Sequence, residues 1–121
     1  MDPACTVTLA LPIVSGQSEA YRRFVQELQG SRRDDFVAAW RRWGIVDLTL
    51  WLAPGRTGDV ALARLTLATE LVDVEARLAA ANGPFDQWFT ARIRDLHGVD
   101  LSYGVARYLV ESLGQWSLPE A

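Results

Sequence analysis

His97 closes an aromatic run, Gly83-Pro84-Phe85-Asp86-Gln87-Trp88-Phe89, and is followed by Gly98. It is the only histidine in 121 residues. An imidazole titrates near neutral pH, so it can take and return a proton in enolisation, ring closure or dehydration. At a helix C-terminus the dipole favours its protonated form. Its plainer role is to cap the last carbonyls of that helix. Arg92 falls near the stripe of Phe85, Trp88 and Phe89, where it can hold an enolate or carboxylate. Its plainer role is that of a surface arginine laid along apolar neighbours. Arg64 is the second candidate for stabilising an anion. Tyr21, Trp40, Trp43, Trp88 and Phe89 can wall a flat apolar pocket, or simply fill a core. Trp51 belongs to the same set of aromatic walls. Tyr103 and Tyr108 are hydroxyl donors for a pocket mouth. Asp86 reads first as a first-turn helix charge and only second as a base.

The totals narrow the chemistry. Half the residues are hydrophobic, which fits one globular domain. The net charge is −3, without a basic block, so a nucleic-acid partner is not expected. All 12 basic residues are arginine, which excludes lysine Schiff-base chemistry. The single Cys5 rules out an internal disulfide, and its place in an apolar run suggests a small buried residue. No H-x-x-x-H or C-x-x-C spacing is present, so neither a metal nor a cofactor is expected. Gly55-Arg56-Thr57-Gly58 is a short turn rather than a phosphate loop. No run approaches the roughly 20 apolar residues of a membrane span. The N-terminus lacks the basic start of a signal peptide, so a cytoplasmic protein is the default expectation.

The elements that position these groups follow from periodicity. Residues 5–13 alternate, with Val7, Leu9 and Leu11 on one side, and predict a strand. After Ser15-Gly16-Gln17-Ser18 comes a helix bearing Tyr21, Phe24, Val25 and Leu28 on one face. Gly30 interrupts it. A second helix from Ser31 buries Phe36, Ala39, Trp40 and Trp43, and Gly44 stops it. Strands over 46–53 and 60–68 form a hairpin across Pro54–Asp59. Thr69 caps a third helix through Ala81. Pro84 starts the aromatic helix, because its missing N–H and fixed φ suit a first turn. A fourth strand is predicted over 105–113, with a helix the alternative. The tail Gln115–Ala121 reads as loosely attached.

The order β-αα-β-β-αα-β is a repeated split βαβ pattern, whose sheet has helices on one face only. The other face then carries Thr6, Thr8, Thr49, Trp51, Arg64, Thr66, Arg107 and Glu111. A tryptophan amid threonine and arginine suits a sheet-to-sheet interface, with Arg64 matched by Glu111 or Asp47 across a two-fold axis. The alternative is a polar face with one exposed Trp.

This pattern resembles the dimeric α+β barrel superfamily, in which ferredoxin-like halves pair sheet to sheet. Ser31-Arg32-Arg33-Asp34-Asp35, Trp43-Gly44-Ile45 and Pro84-Phe85-Asp86-Gln87-Trp88-Phe89 further resemble a bacterial family of unknown function. That family is related to antibiotic-biosynthesis monooxygenases and polyketide cyclases. The resemblance implies an α+β fold with a four-stranded antiparallel sheet, a homodimer, and a pocket between sheet and helices. It implies a cofactor-independent cyclase or isomerase acting on a hydrophobic, polyketide-like or polycyclic small molecule. The alternatives are a monooxygenase of the same fold or a non-catalytic ligand-binding or stress-response dimer. No catalytic residue transfers with it.

Overall fold

A computed structural model describes residues 5–119. The elements run β1 (Cys5–Pro12), α1 (Ser18–Gln29), α2 (Arg33–Trp43), β2 (Ile45–Ala53), β3 (Val60–Leu67), α3 (Leu71–Ala80) and α4 (Pro84–His97). Two short 3₁₀ turns follow, at Leu101–Tyr103 and Ala106–Tyr108. The architecture is α+β.

The three strands form an antiparallel sheet in the order β1-β3-β2. Side chains alternate across a strand, so the register fixes both faces. Leu9, Ala63 and Leu50 lie side by side on the inner face, as do Leu11, Ala61 and Leu52. Thr8, Arg64 and Thr49 form the matching row on the outer face. The helices cover only the inner face. The small Ala61 and Ala63 sit on the central strand between leucines, which leaves space beneath the helices.

α1, α2 and α4 bury most of the stripe their sequence predicts, whereas α3 buries only Val74 and leaves Leu71, Leu78 and Ala81 half-buried. Tyr21, Phe24 and Leu28 of α1 are buried, as are Phe36, Ala39 and Trp43 of α2, and Phe85, Ile93 and Leu96 of α4. Trp43 meets Phe89 at 5.0 Å between ring centres and Phe85 at 6.2 Å. Much of the aromatic bulk of α4 is therefore core. Pro84 opens α4, and the Asp86 carboxylate reaches back to the Gly83 N–H at 3.1 Å. Gly98 closes α4 at a φ of 67°, a left-handed turn that costs other residues energy.

Asp86 does more than start a helix. Its Oδ1 accepts hydrogen bonds from the Trp43 indole and the Arg42 guanidinium, each at 3.0 Å. The buried carboxylate thereby ties α2 to α4, with every bond to it charge-assisted.

The predicted strand over 105–113 does not form. The Glu75 carboxylate on α3 takes the Val105 N–H at 2.7 Å and holds the chain away from β1. Gly104, at a φ of 81°, leaves no room for a Cβ against Glu75. Ala106–Tyr108 then turns, and the chain touches the sheet only briefly. Leu109 bridges Leu9, and the Val110 N–H donates to the Thr8 carbonyl at 2.8 Å. Cys5 is exposed rather than buried, because it sits at the open end of β1. Thr69 does not cap α3. Glu70 holds that position, and the Thr69 hydroxyl donates to Asp73 instead. Residues 120 and 121 of the predicted tail lie outside the described residues.

Candidate active site

Between the inner sheet face and the helices lies an apolar cavity of about 110 Å³. Leu9, Leu11, Leu50, Ala63, Phe24 and Phe89 form much of its wall. Trp43 also borders it. The wall has three ionisable side chains, Tyr21, His97 and Glu75. Glu75 is already engaged by Val105. Two polar groups remain for chemistry.

His97 is 4% exposed, beneath the end of β1. Its Nδ1 lies 2.8 Å from the Pro12 carbonyl. A carbonyl can only accept, so Nδ1 carries the hydrogen in this contact. In the neutral ring that places the basic lone pair on Nε2. Burial pushes the His97 pKa below the ordinary 6.5, against an opposing pull from the Pro12 carbonyl. The imidazole is therefore neutral at pH 7. This corrects the expectation from the helix dipole: the charged form loses more hydration under the sheet than the helix end returns.

Tyr21 on α1 meets His97 edge-to-face, with ring centres 5.5 Å apart. Its hydroxyl is buried and has no hydrogen-bond partner among the described residues. Burial raises its pKa to about 12, so the phenol stays protonated and remains a donor. A buried unpaired hydroxyl costs about 1–3 kcal/mol. A neutral base and a neutral proton donor thus share one apolar cavity.

The other sequence candidates fall elsewhere. Phe89 and Trp43 line the cavity. Trp40 packs on the far side of Phe36, at 5.3 Å, with its indole N–H buried and unpartnered. Trp88 lies under the Arg32 guanidinium at 4.0 Å and against Phe24 at 5.6 Å, outside the cavity wall. Arg92 points to solvent on α4, near Asp95 at 3.8 Å. Arg64 and Trp51 occupy the opposite face of the sheet, with Trp51 45% exposed. Tyr103 is exposed, and Tyr108 is half-buried against the core. His97 and Arg92 are therefore not brought together. The partner that sequence reasoning named only as a wall is Tyr21. Its signal was a hydroxyl on the buried stripe of α1.

Among the described residues, no group of three His, Cys, Asp or Glu is placed to hold a metal ion. No described helix is long and apolar enough to cross a membrane. The chain is thus an α+β protein with a small apolar cavity that a tyrosine–histidine pair borders. It matches no protein-family model, and comparison with curated proteins finds no match.

Proposed function

We propose that this protein is a small cofactor-independent enzyme that moves a proton on an apolar ketone. The observation that carries this reading is the Tyr21–His97 pair in an otherwise apolar cavity. Such a site strengthens hydrogen bonds to a developing enolate, because few other dipoles compete. In the reaction, His97 Nε2 removes a proton from the carbon beside the carbonyl. The electron pair moves onto the carbonyl oxygen, which Tyr21 stabilises by hydrogen bonding. The imidazolium then returns the proton at a conjugated carbon, and the double bond has shifted. Ring closure begins with the same proton removal, as does cofactor-free oxygenation, so isomerase, cyclase and monooxygenase share this first step.

Cavity size favours one substrate class. An engineered cavity of about 150 Å³ in another protein takes benzene. A volume near 110 Å³ is smaller still, so one ring is the upper limit, and a polycycle would need the helices to part. A non-catalytic role in binding apolar ligands is the second reading, favoured by the near absence of polar wall. A homodimer pairing the outer sheet faces, as in a dimeric α+β barrel, remains part of the proposal. Exposed Trp51 and Arg64 on that face support it.

A six-membered β,γ-unsaturated cyclic ketone tests the function. The wild-type protein should convert it to the conjugated isomer, followed by ultraviolet absorbance. Tyr21→Phe should slow this about 10–100-fold, while stability stays level or rises by up to about 1 kcal/mol because an unpaired buried hydroxyl is gone. Binding without conversion would instead support the non-catalytic reading.

A further inference from the structure

Tyr21 and His97 are each only 4% exposed, so a ligand reaches them when part of the cavity wall moves. The wall is unevenly held. All but two of its residues belong to β1–β3 or α1–α4, where continuous backbone hydrogen bonding fixes them. The two exceptions, Leu101 and Val105, lie in the connection that follows α4.

That connection, residues 99–108, is two-sided. Val99, Leu101 and Val105 are buried, whereas Ser102, Tyr103, Ala106 and Arg107 are exposed. Its backbone bonds are its own: the N–H groups of Tyr103, Gly104 and Tyr108 donate to the carbonyls of Asp100, Leu101 and Val105. The Asp100 carboxylate adds the Ser102 N–H at 2.9 Å and the Ser102 hydroxyl at 2.6 Å. Among the described residues, two polar contacts tie this unit to the body. One is a loose pair, Arg94 with Asp100 at 3.9 Å. The other is the Val105 N–H, which donates to the Glu75 carboxylate at 2.7 Å.

Glu75 is the one acidic side chain in the wall. It belongs to no ion pair among the described residues. A half-buried carboxylate beside apolar side chains loses hydration, and the bond from Val105 offsets part of that loss. Gly104 fits under the carboxylate because it has no Cβ.

We infer that residues 99–108 are the lid of the cavity and that Glu75 is its latch. The lid swings from Gly98, the left-handed residue at the end of α4. Element ends of this kind absorb the backbone rotation of a closing loop. Opening withdraws Leu101 and Val105 from the wall and breaks one charge-assisted hydrogen bond, with no strand or long helix disrupted. His97 stays in place, because the Leu96 carbonyl accepts the Val14 N–H at 2.8 Å. Glu75 is a positioning residue, which acts through the lid. The inference rests on the apolar-ligand cavity proposed above, whether or not that cavity is catalytic.

Fluorobenzene, followed by fluorine-19 exchange NMR, measures entry without requiring turnover. It should bind the wild-type protein, and Glu75→Ala should speed its exchange about 10–100-fold, as loss of a hydrogen bond to a charged group implies. Glu75→Gln keeps an accepting oxygen and should recover most of the wild-type rate. Gly104→Ala should speed exchange from the other side, since its methyl displaces the flexible Glu75 carboxylate. Amide hydrogen exchange separates a lid from a loosened fold: Glu75→Ala should quicken Val105 while Ala63 and Leu65 on β3 keep their rates. An unchanged Val105 rate would overturn the latch. A faster Val105 with unchanged fluorobenzene exchange would overturn the lid as the entrance and leave the cavity reading standing. Fluorobenzene binding to neither wild type nor Glu75→Ala would overturn the lid and the cavity reading together.

Discussion

Replacing His97 by glutamine should lower turnover of the cyclic ketone by about 10²–10⁴-fold. Glutamine can still donate to the Pro12 carbonyl, so the end of α4 keeps its contact with β1. What is lost is the basic nitrogen in the cavity. The pH dependence has a defined sign. The base must be neutral, so wild-type activity should rise as pH climbs through the His97 pKa, which burial holds below 6.5. It should then stay flat until Tyr21 loses its proton near pH 12. Stability follows the same group. The unfolded chain binds a proton at the ordinary pKa, whereas the folded chain resists it. Folding is therefore favoured above about 6.5 and weakened as pH falls through the lower folded value. Thermal melts at pH 7 and pH 5 should show a larger loss for wild type than for His97→Gln. Equal turnover by the two proteins would remove His97 from the chemistry.

Replacing Trp43 by alanine should destabilise the fold by about 3–5 kcal/mol. Trp43 is 1% exposed and packs against Phe36, Phe85 and Phe89. It also gives its indole N–H to Asp86. The substitution opens a cavity and takes one donor from a buried carboxylate, so two penalties add. For a domain of this size the melting temperature should fall by roughly 10–20 °C. Trp116→Ala makes the contrast, because that side chain is 89% exposed and should leave the melt of a dilute monomer unchanged. A similar shift from both variants would mean that the aromatic cluster is not the core.

Alternation in β1 and β2 made their inner faces legible, and Gly44 and Gly98 marked where helices stop. These signals are local, and local chemistry decides them. The segment at 105–113 was not legible, because its conformation depends on Glu75, some 30 residues earlier, seizing the Val105 N–H. Arg92 looked close to the aromatic stripe because it follows Phe89 by less than one helical turn. Facing solvent costs its guanidinium nothing, whereas the cavity wall would strip its hydration. His97 was legible as a chemical group but not in its charge state. The dipole argument supposed a helix end in water, and the end of α4 lies beneath Pro12. Tyr21 showed its place in the core but not its role, since a lone hydroxyl is defined by partners that no sequence pattern reveals. Packing of the outer sheet face is likewise invisible from alternation alone, which shows that a face is polar but not what meets it.

His97 is the only histidine in the chain, so its ring nitrogens can be followed by nitrogen-15 NMR without ambiguity. At pH 7 the spectrum should show a neutral ring with its hydrogen on Nδ1. Adding the cyclic ketone should shift the Nε2 resonance saturably, and Ala63→Phe, which fills the cavity, should abolish that shift. A charged ring at pH 7, or an Nε2 signal indifferent to the ketone, would contradict the account.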